Sequence, residues 1–275
     1  MNKKIKNFTL YFIMEVSVAT RGILFFICVA FQLSIPLIPR LDHYFPLHFV
    51  VSWHEVLDLC LTPIVSVCSL WLFFGLVKGR KNLCCWLLLF IIGLSIGCDG
   101  HGLHLASNRI HSYISPGNEW NSNGNEMQHT IYILDEYVGH SMAFSGWIIV
   151  FIVMIIADEI RIVDTTTSYF ELLVLFILSS LQGVGWFMAA VEGQFAIPGI
   201  TVCILGSINL LIRFYPKKHP ISFCFHFSSF VCLVLLVSWG FYYSWTWPEF
   251  RVLGLGPFST WPGQFIKYFQ NNIIN

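Results

Sequence analysis

The chain has 275 residues, 56% of them hydrophobic and 11% charged, with a mean hydropathy of +0.70. Soluble domains carry about a quarter charged residues, so the composition excludes an ordinary water-soluble globule and points to an all-α polytopic membrane protein. Fifteen basic residues balance fifteen acidic ones, which gives no support to a nucleic-acid partner.

Residues 1–21 read as a short cytoplasmic segment. Lys3, Lys4 and Lys6, followed by an apolar stretch and Ser17-Val18-Ala19, resemble a signal peptide with its cleavage site. Glu15 interrupts the apolar stretch and argues against that reading. Residues 22–245 form the transmembrane domain. A span takes about 20 mostly apolar residues, and seven such runs occur, near 22–39, 56–77, 83–106, 131–157, 170–191, 196–215 and 223–245. Helices are expected throughout, because lipid offers backbone groups no other partner.

Lys and Arg set the direction. Eleven of them (Lys3, Lys4, Lys6, Arg21, Lys78, Arg80, Lys81, Arg161, Arg213, Lys217, Lys218) fall on one side of this seven-span scheme, and four (Arg40, Arg109, Arg251, Lys267) on the other. The N-terminus is therefore expected in the cytoplasm and the C-terminus outside. Lys-, Ile-, Phe- and Asn-rich usage suggests a bacterial inner membrane.

The polar residues inside the spans follow in chain order. Span 2 opens with His54-Glu55-Val56-Leu57-Asp58. Span 3 closes with Cys98-Asp99-Gly100-His101-Gly102-Leu103-His104-Leu105-Ala106-Ser107-Asn108. The polar loop 115–128 reads as exposed and mobile. Span 4 opens with Asp135-Glu136-Tyr137-Val138-Gly139-His140, and span 5 carries Gln182 and Trp186 before closing with Glu192-Gly193-Gln194. Gln182 and Trp186 read as helix-packing groups. Trp239, Tyr242, Tyr243, Trp245 and Trp247 mark an interfacial belt where span 7 leaves the membrane, and residues 246–275 form an aromatic, Gly- and Pro-rich outer tail. The nine cysteines all lie in apolar runs without a Cys-x-x-Cys pair, as buried apolar thiols would.

The scheme places Asp58, His101, His104, Asp135, Glu136, His140 and Glu192 at one depth, the outer one. Eight of the ten histidines fall in that half, with His219 and His226 the exceptions. Ionisable groups in hydrocarbon are costly and mark function, and imidazole with carboxylate is a donor set for a divalent metal. His101, His104, Asn108 and His111 share a helix face, as do Glu136 and His140, and His54 and Asp58. The expected ligands are His101, His104, His140, Glu136 and His54. Glu136, Asp99 and Asp58 are the candidate catalytic carboxylates, with Glu136 either ligand or base. Glu55, Asn108, Asp135, Glu192 and Gln182 are supporting candidates. Gly100 and Gly102, flanking His101, permit close helix packing or a local distortion. His43, His48, His111 and His129 fit headgroup water.

These strings, Asp99-Gly100-His101-Gly102-Leu103-His104-x-x-x-Asn108 and Asp135-Glu136-x-x-Gly139-His140, with Glu192-Gly193-Gln194, resemble a group of bacterial multi-pass membrane proteins to which no activity is attached. More distantly, the seven spans and the span-3 histidine resemble the CREST hydrolases, which include alkaline ceramidases and adiponectin-receptor-like proteins. That resemblance implies zinc held by histidines on separate spans and hydrolysis of lipid amides. Those proteins carry a His-x-x-x-His pair on span 7, where this chain has only His226.

The leading expectation is a membrane-embedded metallohydrolase of a lipid or other amphiphile, with zinc favoured and iron as the other metal. A di-iron or haem redox protein is the alternative, followed by a transporter, receptor or docking subunit. Membrane lipids and an amphiphilic substrate are the expected partners.

Overall fold

The protein is described from a computed structural model that covers residues 16–34, 53–78, 80, 83–114, 126–161, 167–193, 195–212 and 215–248. The side chains of residues 34, 53, 54, 83, 111–114 and 136 lie outside that description. So do the signal-like start, the polar loop 115–125, His43, His48, Gln194 and the tail beyond 248.

No strand occurs among the described residues. The helices are α1 (Val18–Ser34), α2 (Trp53–Leu76), α3 (Leu83–Ile114), α4 (Glu126–Tyr132), a π-helical segment (Ile133–Gly139), α5 (His140–Glu159), α6 (Tyr169–Glu192), α7 (Ala196–Ile212) and α8 (Pro220–Tyr242). The segment from α4 through α5 runs as one helical stretch, Glu126–Glu159. Among the described residues, five helical stretches are long and apolar enough to cross a membrane: Glu55–Leu76, Cys84–Ile110, Glu126–Glu159, Tyr169–Glu192 and Pro220–Tyr242. Two shorter apolar helices, Val18–Leu33 and Ala196–Ile212, occupy the remaining apolar runs.

The outside of the bundle is greasy. Leu211 is 84% exposed, Phe170 73% and Ile197 68%. A surface of that kind is unfavourable in water and natural against acyl chains. Half of the apolar window of α8 is buried inside the protein, against a third or less in the other four long stretches. Helix α8 is thus the central one. Around it an aromatic core forms, with Phe225 against Phe26 (5.5 Å between ring centroids) and Phe151 (4.5 Å), and Phe151 stacked on Trp186 (5.2 Å).

Helix association in lipid depends on close packing of small residues, and the pair α3–α5 shows it. Gly93, Gly97 and Gly100 face Gly146, Ala143 and Met142. A Cβ on Gly146 would overlap the Gly97 backbone, and one on Gly93 would stand 3.0 Å from the Gly146 carbonyl. Gly139 meets His104 in the same way, since a Cβ there would stand 3.1 Å from the His104 backbone nitrogen. By contrast, the backbones of α2 and α3 approach each other at few points.

The chain's two ends of the bundle are both polar. At the end away from the histidine cluster, Asp158 is fully buried and caps α8. Its Oδ2 accepts from the N–H groups of Ile221 (2.9 Å) and Ser222 (3.0 Å), and its Oδ1 from Arg161 Nε (3.1 Å). His219 Nδ1 donates to the Asp158 carbonyl (2.8 Å). A carboxylate at a helix N-terminus satisfies orphan donors and the positive end of the dipole together. Ser168 and Glu171 cap α6 through a reciprocal capping box.

Trp247 and Trp239 hold the end of α8, donating to the Leu236 (3.0 Å) and Pro248 (3.2 Å) carbonyls. The cysteines divide: Cys203, Cys224 and Cys232 are buried as expected, whereas Cys60, Cys84 and Cys85 are exposed, so burial does not explain those three.

Candidate metal centre

Three helical elements meet at His104, Asp135 and His140. Helix α3 supplies His104, the π segment supplies Asp135, and α5 begins with His140. One donor atom from each lies within 4.8 Å of the other two, the one such group of three among the described residues. The rings of His104 and His140 have centroids 4.3 Å apart and are tilted by 53°.

The π segment brings Asp135 and His140 together. In an α-helix Glu136 and His140 would share a face. Here the His140 N–H bonds to the Asp135 carbonyl, five residues back. Widening the turn to i→i+5 brings residues five apart onto one face, so Asp135 and His140 converge. Such bulges occur often at functional sites.

The hydrogen bonds then fix the rings. His140 Nδ1 donates to the Asp135 carbonyl at 3.1 Å, which leaves the lone pair on Nε2. Asp135 Oδ1 lies 2.5 Å from His104 Nδ1, and Asn108 Nδ2 lies 3.1 Å from His104 Nε2. A carboxylate only accepts, so His104 Nδ1 carries the proton and Nε2 accepts from Asn108. Asp135 is 1% exposed, and its Oδ2 is buried with no hydrogen-bond partner among the described residues. A buried carboxylate oxygen without a partner is costly.

A divalent cation fits this donor set. In a tetrahedron with bonds near 2.1 Å, donors stand roughly 3.4 Å apart, so a pair at the 4.8 Å limit would close by about 1.4 Å and the 2.5 Å pair of Asp135 Oδ1 and His104 Nδ1 would open. An ion there would take the place of the His104 Nδ1 proton, leaving the hydrogen on Nε2, which Asn108 would accept through Oδ1. Two imidazoles and one carboxylate suit zinc and also non-haem iron. The 4.3 Å between ring centroids leaves no room for a porphyrin between the histidines.

The other expected site residues are placed as follows. His101 does not join His104. It turns to α2, where its Nε2 lies 3.0 Å from Asp58 Oδ2, near enough for an ion pair but not aligned as a hydrogen bond. Residues three apart on a helix point roughly 60° apart, and here α2 and α5 lie on the two sides of α3. Asp58 also accepts from Gln32 Nε2 on α1 (2.7 Å), and Gln32 reaches Thr62 Oγ1 (3.0 Å). Glu55 forms a two-pronged ion pair with Arg109. Asp99 is exposed and pairs with no described residue.

Glu192 closes α6 beside the cluster, because Gly193 abuts the His140 ring. A Cβ on Gly193 would stand 3.0 Å from His140 Cδ2. Gln182 is buried deeper in the bundle, where its Oε1 accepts from Ser228 Oγ (3.4 Å). The side chains of His54 and Glu136 fall outside the described residues.

Gln32, Arg109, Asp158 and Glu159 were not among the expected site residues. Gln32 is a single amide in an apolar run, and Arg109 counted only as a flanking charge. A carboxylate pair at a span end, as Asp158 and Glu159 form, was the one signal available. Comparison with protein-family models, with curated proteins and with solved structures found no match.

Proposed function

We propose that the chain is a seven-span protein of a bacterial inner membrane whose outer end holds one divalent metal ion, zinc by preference, on His104, Asp135 and His140, and that it hydrolyses a lipid or other amphiphile there. The observation that carries this is the buried, unpartnered Asp135 Oδ2 between two imidazoles, with His140 Nδ1 bonded to the Asp135 carbonyl and His104 Nε2 to Asn108. The placement outside rests on the Lys and Arg count.

A bound ion supplies Lewis acidity and a water acidified to a pKa near 7. The residues do the rest. Asn108 holds the Nε2 edge of His104, and the Asp135 carbonyl holds Nδ1 of His140, so both rings are oriented by groups other than the ligand atoms. Hydrogen-bonded outer partners of this kind raise ligand basicity and fix geometry. Three protein ligands leave a coordination position for the reacting group. His104 is 28% exposed on its side chain and gives access, while Asp135, at 1%, stays dry.

Two imidazoles with one carboxylate also match the facial triad of iron enzymes, which keeps a redox reaction as the second reading. The deciding experiment is elemental analysis with an absorption spectrum on protein purified in mild detergent without chelator, beside Asp135→Asn. About one zinc per chain, absent from the variant, supports the hydrolase and calls for a lipid ester and amide screen. Iron with visible absorption moves the assignment to redox chemistry. Well-folded wild-type protein without metal overturns the metal centre.

A further inference from the structure

We propose that the outer half of the seam between α2 and α3 binds the headgroup of a zwitterionic phospholipid, an inference that rests on the proposed outer, membrane-embedded metal site for its purpose. The seam has two distinct halves. Toward the inner end Phe73 stacks on Phe90, with ring centroids 4.6 Å apart. Further out, the apolar contact gives way to polar bridges.

Ser66 Oγ lies 3.5 Å from Cys98 Sγ, Asp58 Oδ2 lies 3.0 Å from His101 Nε2, and Glu55 holds Arg109 by both carboxylate oxygens, with Nε donating to Oε1 at 3.0 Å. The backbones of α2 and α3 come close at few points along the seam, and these side chains span the distance.

The bridges select the ligand by charge. The outer seam offers two carboxylates, one guanidinium and one imidazole. A lone anion would face Glu55 and Asp58 unpaired, and a lone cation would leave Arg109 unpaired. Uncompensated charge in a low-dielectric site is strongly unfavourable. A zwitterion exchanges pair for pair. Its ammonium takes the two carboxylates, and its phosphate takes the Arg109 fork, which matches phosphate oxygens two at a time.

Gln32 and Thr62 keep Asp58 in place while His101 lets go. His101 stands three residues before His104, so the seam and the metal centre share one turn of α3 on different flanks. Leu59 and Ile110, next in sequence to Asp58 and Arg109, are exposed and can run along the acyl chains.

The test is calorimetric titration of detergent-purified protein with dihexanoyl-phosphatidylethanolamine and dihexanoyl-phosphatidylglycerol below their micellar concentrations. The ethanolamine lipid is expected to bind the wild type at least tenfold more tightly than the glycerol lipid. Its affinity should fall at least tenfold in Glu55→Gln/Arg109→Met and in Asp58→Asn, with bound metal unchanged. Arg109→Lys keeps the charge but loses the fork, so it folds even where the double variant does not, and it should show a smaller loss of the same sign. Equal binding of the two lipids, or an affinity untouched by Arg109→Lys and Asp58→Asn, overturns the proposal. Asp135→Asn separates the two ideas: it should lose metal and keep lipid binding. A metal-free wild type that still discriminates the lipids through Arg109 supports the seam and removes only the hydrolase.

Discussion

Gly100 and Gly102 stand two residues apart on α3, either side of His101, and should respond to the same substitution in opposite ways. A methyl group at Gly100 overlaps the Ala143 backbone nitrogen and approaches Met142, so neither side can rotate out of the way. A methyl group at Gly102 meets nothing within 4 Å. Replacing Gly by Ala inside a helix gains up to about 1 kcal/mol from backbone entropy at both positions. Overpacking at Gly100 costs about 1–3 kcal/mol, so Gly100→Ala should be a net loss of about 1–2 kcal/mol and Gly102→Ala neutral or a gain.

The metal centre should follow. His104 sits four residues beyond Gly100 on the same face, so spreading α3 from α5 draws His104 away from Asp135, now 2.5 Å distant. Misplacing a ligand in this way should weaken metal binding by about 10- to 100-fold, the range for lost outer-shell support. Unfolding in a detergent–dodecyl sulfate titration measures the first effect, and competition with a zinc-chelating dye the second. Indistinguishable behaviour of the two variants would refute both the α3–α5 contact and its role in placing His104.

Asn108→Ala should weaken metal about 10- to 100-fold, because His104 Nε2–H then lacks its acceptor, whereas Asn108→Asp keeps an acceptor and should retain affinity; the dye competition reads both, and a wild-type-like Asn108→Ala would mean another group orients the ring. Asp158→Asn should destabilise the fold by about 2–4 kcal/mol by weakening the α8 cap and the Arg161 pair. It should leave metal stoichiometry unchanged, since Asp158 lies at the opposite end of the bundle; loss of metal would count against two independent polar ends.

How far the site could be read from sequence depends on the kind of information each residue carries. Apolar run length places a helix in every run, since a backbone in lipid has no cheaper conformation. Residue type and helix periodicity select His104, His140 and the neighbourhood of Asp135. They do not place Asp135 on the His140 face, because that placement turns on a single widened turn. An i+4 rule does not reach Asp135; the i→i+5 bond at His140 does.

The same limit separates His101 from His104. Their spacing says that they share a face, but only the position of α2 on one flank and α5 on the other decides which partner each meets. The small residues carry the missing information in part. Gly93, Gly97 and Gly100 recur at intervals of four and three, as do Gly139, Ala143 and Gly146. Each stripe is legible as a packing face, and pairing the two stripes sets His104 against Gly139. The π segment then has to deliver Asp135 within reach. The cluster of His104, Asp135 and His140 is thus a consequence of how α3 packs on α5 rather than of a ligand motif on either helix, which is why its residues show no His-Glu-x-x-His or His-x-x-x-His spacing.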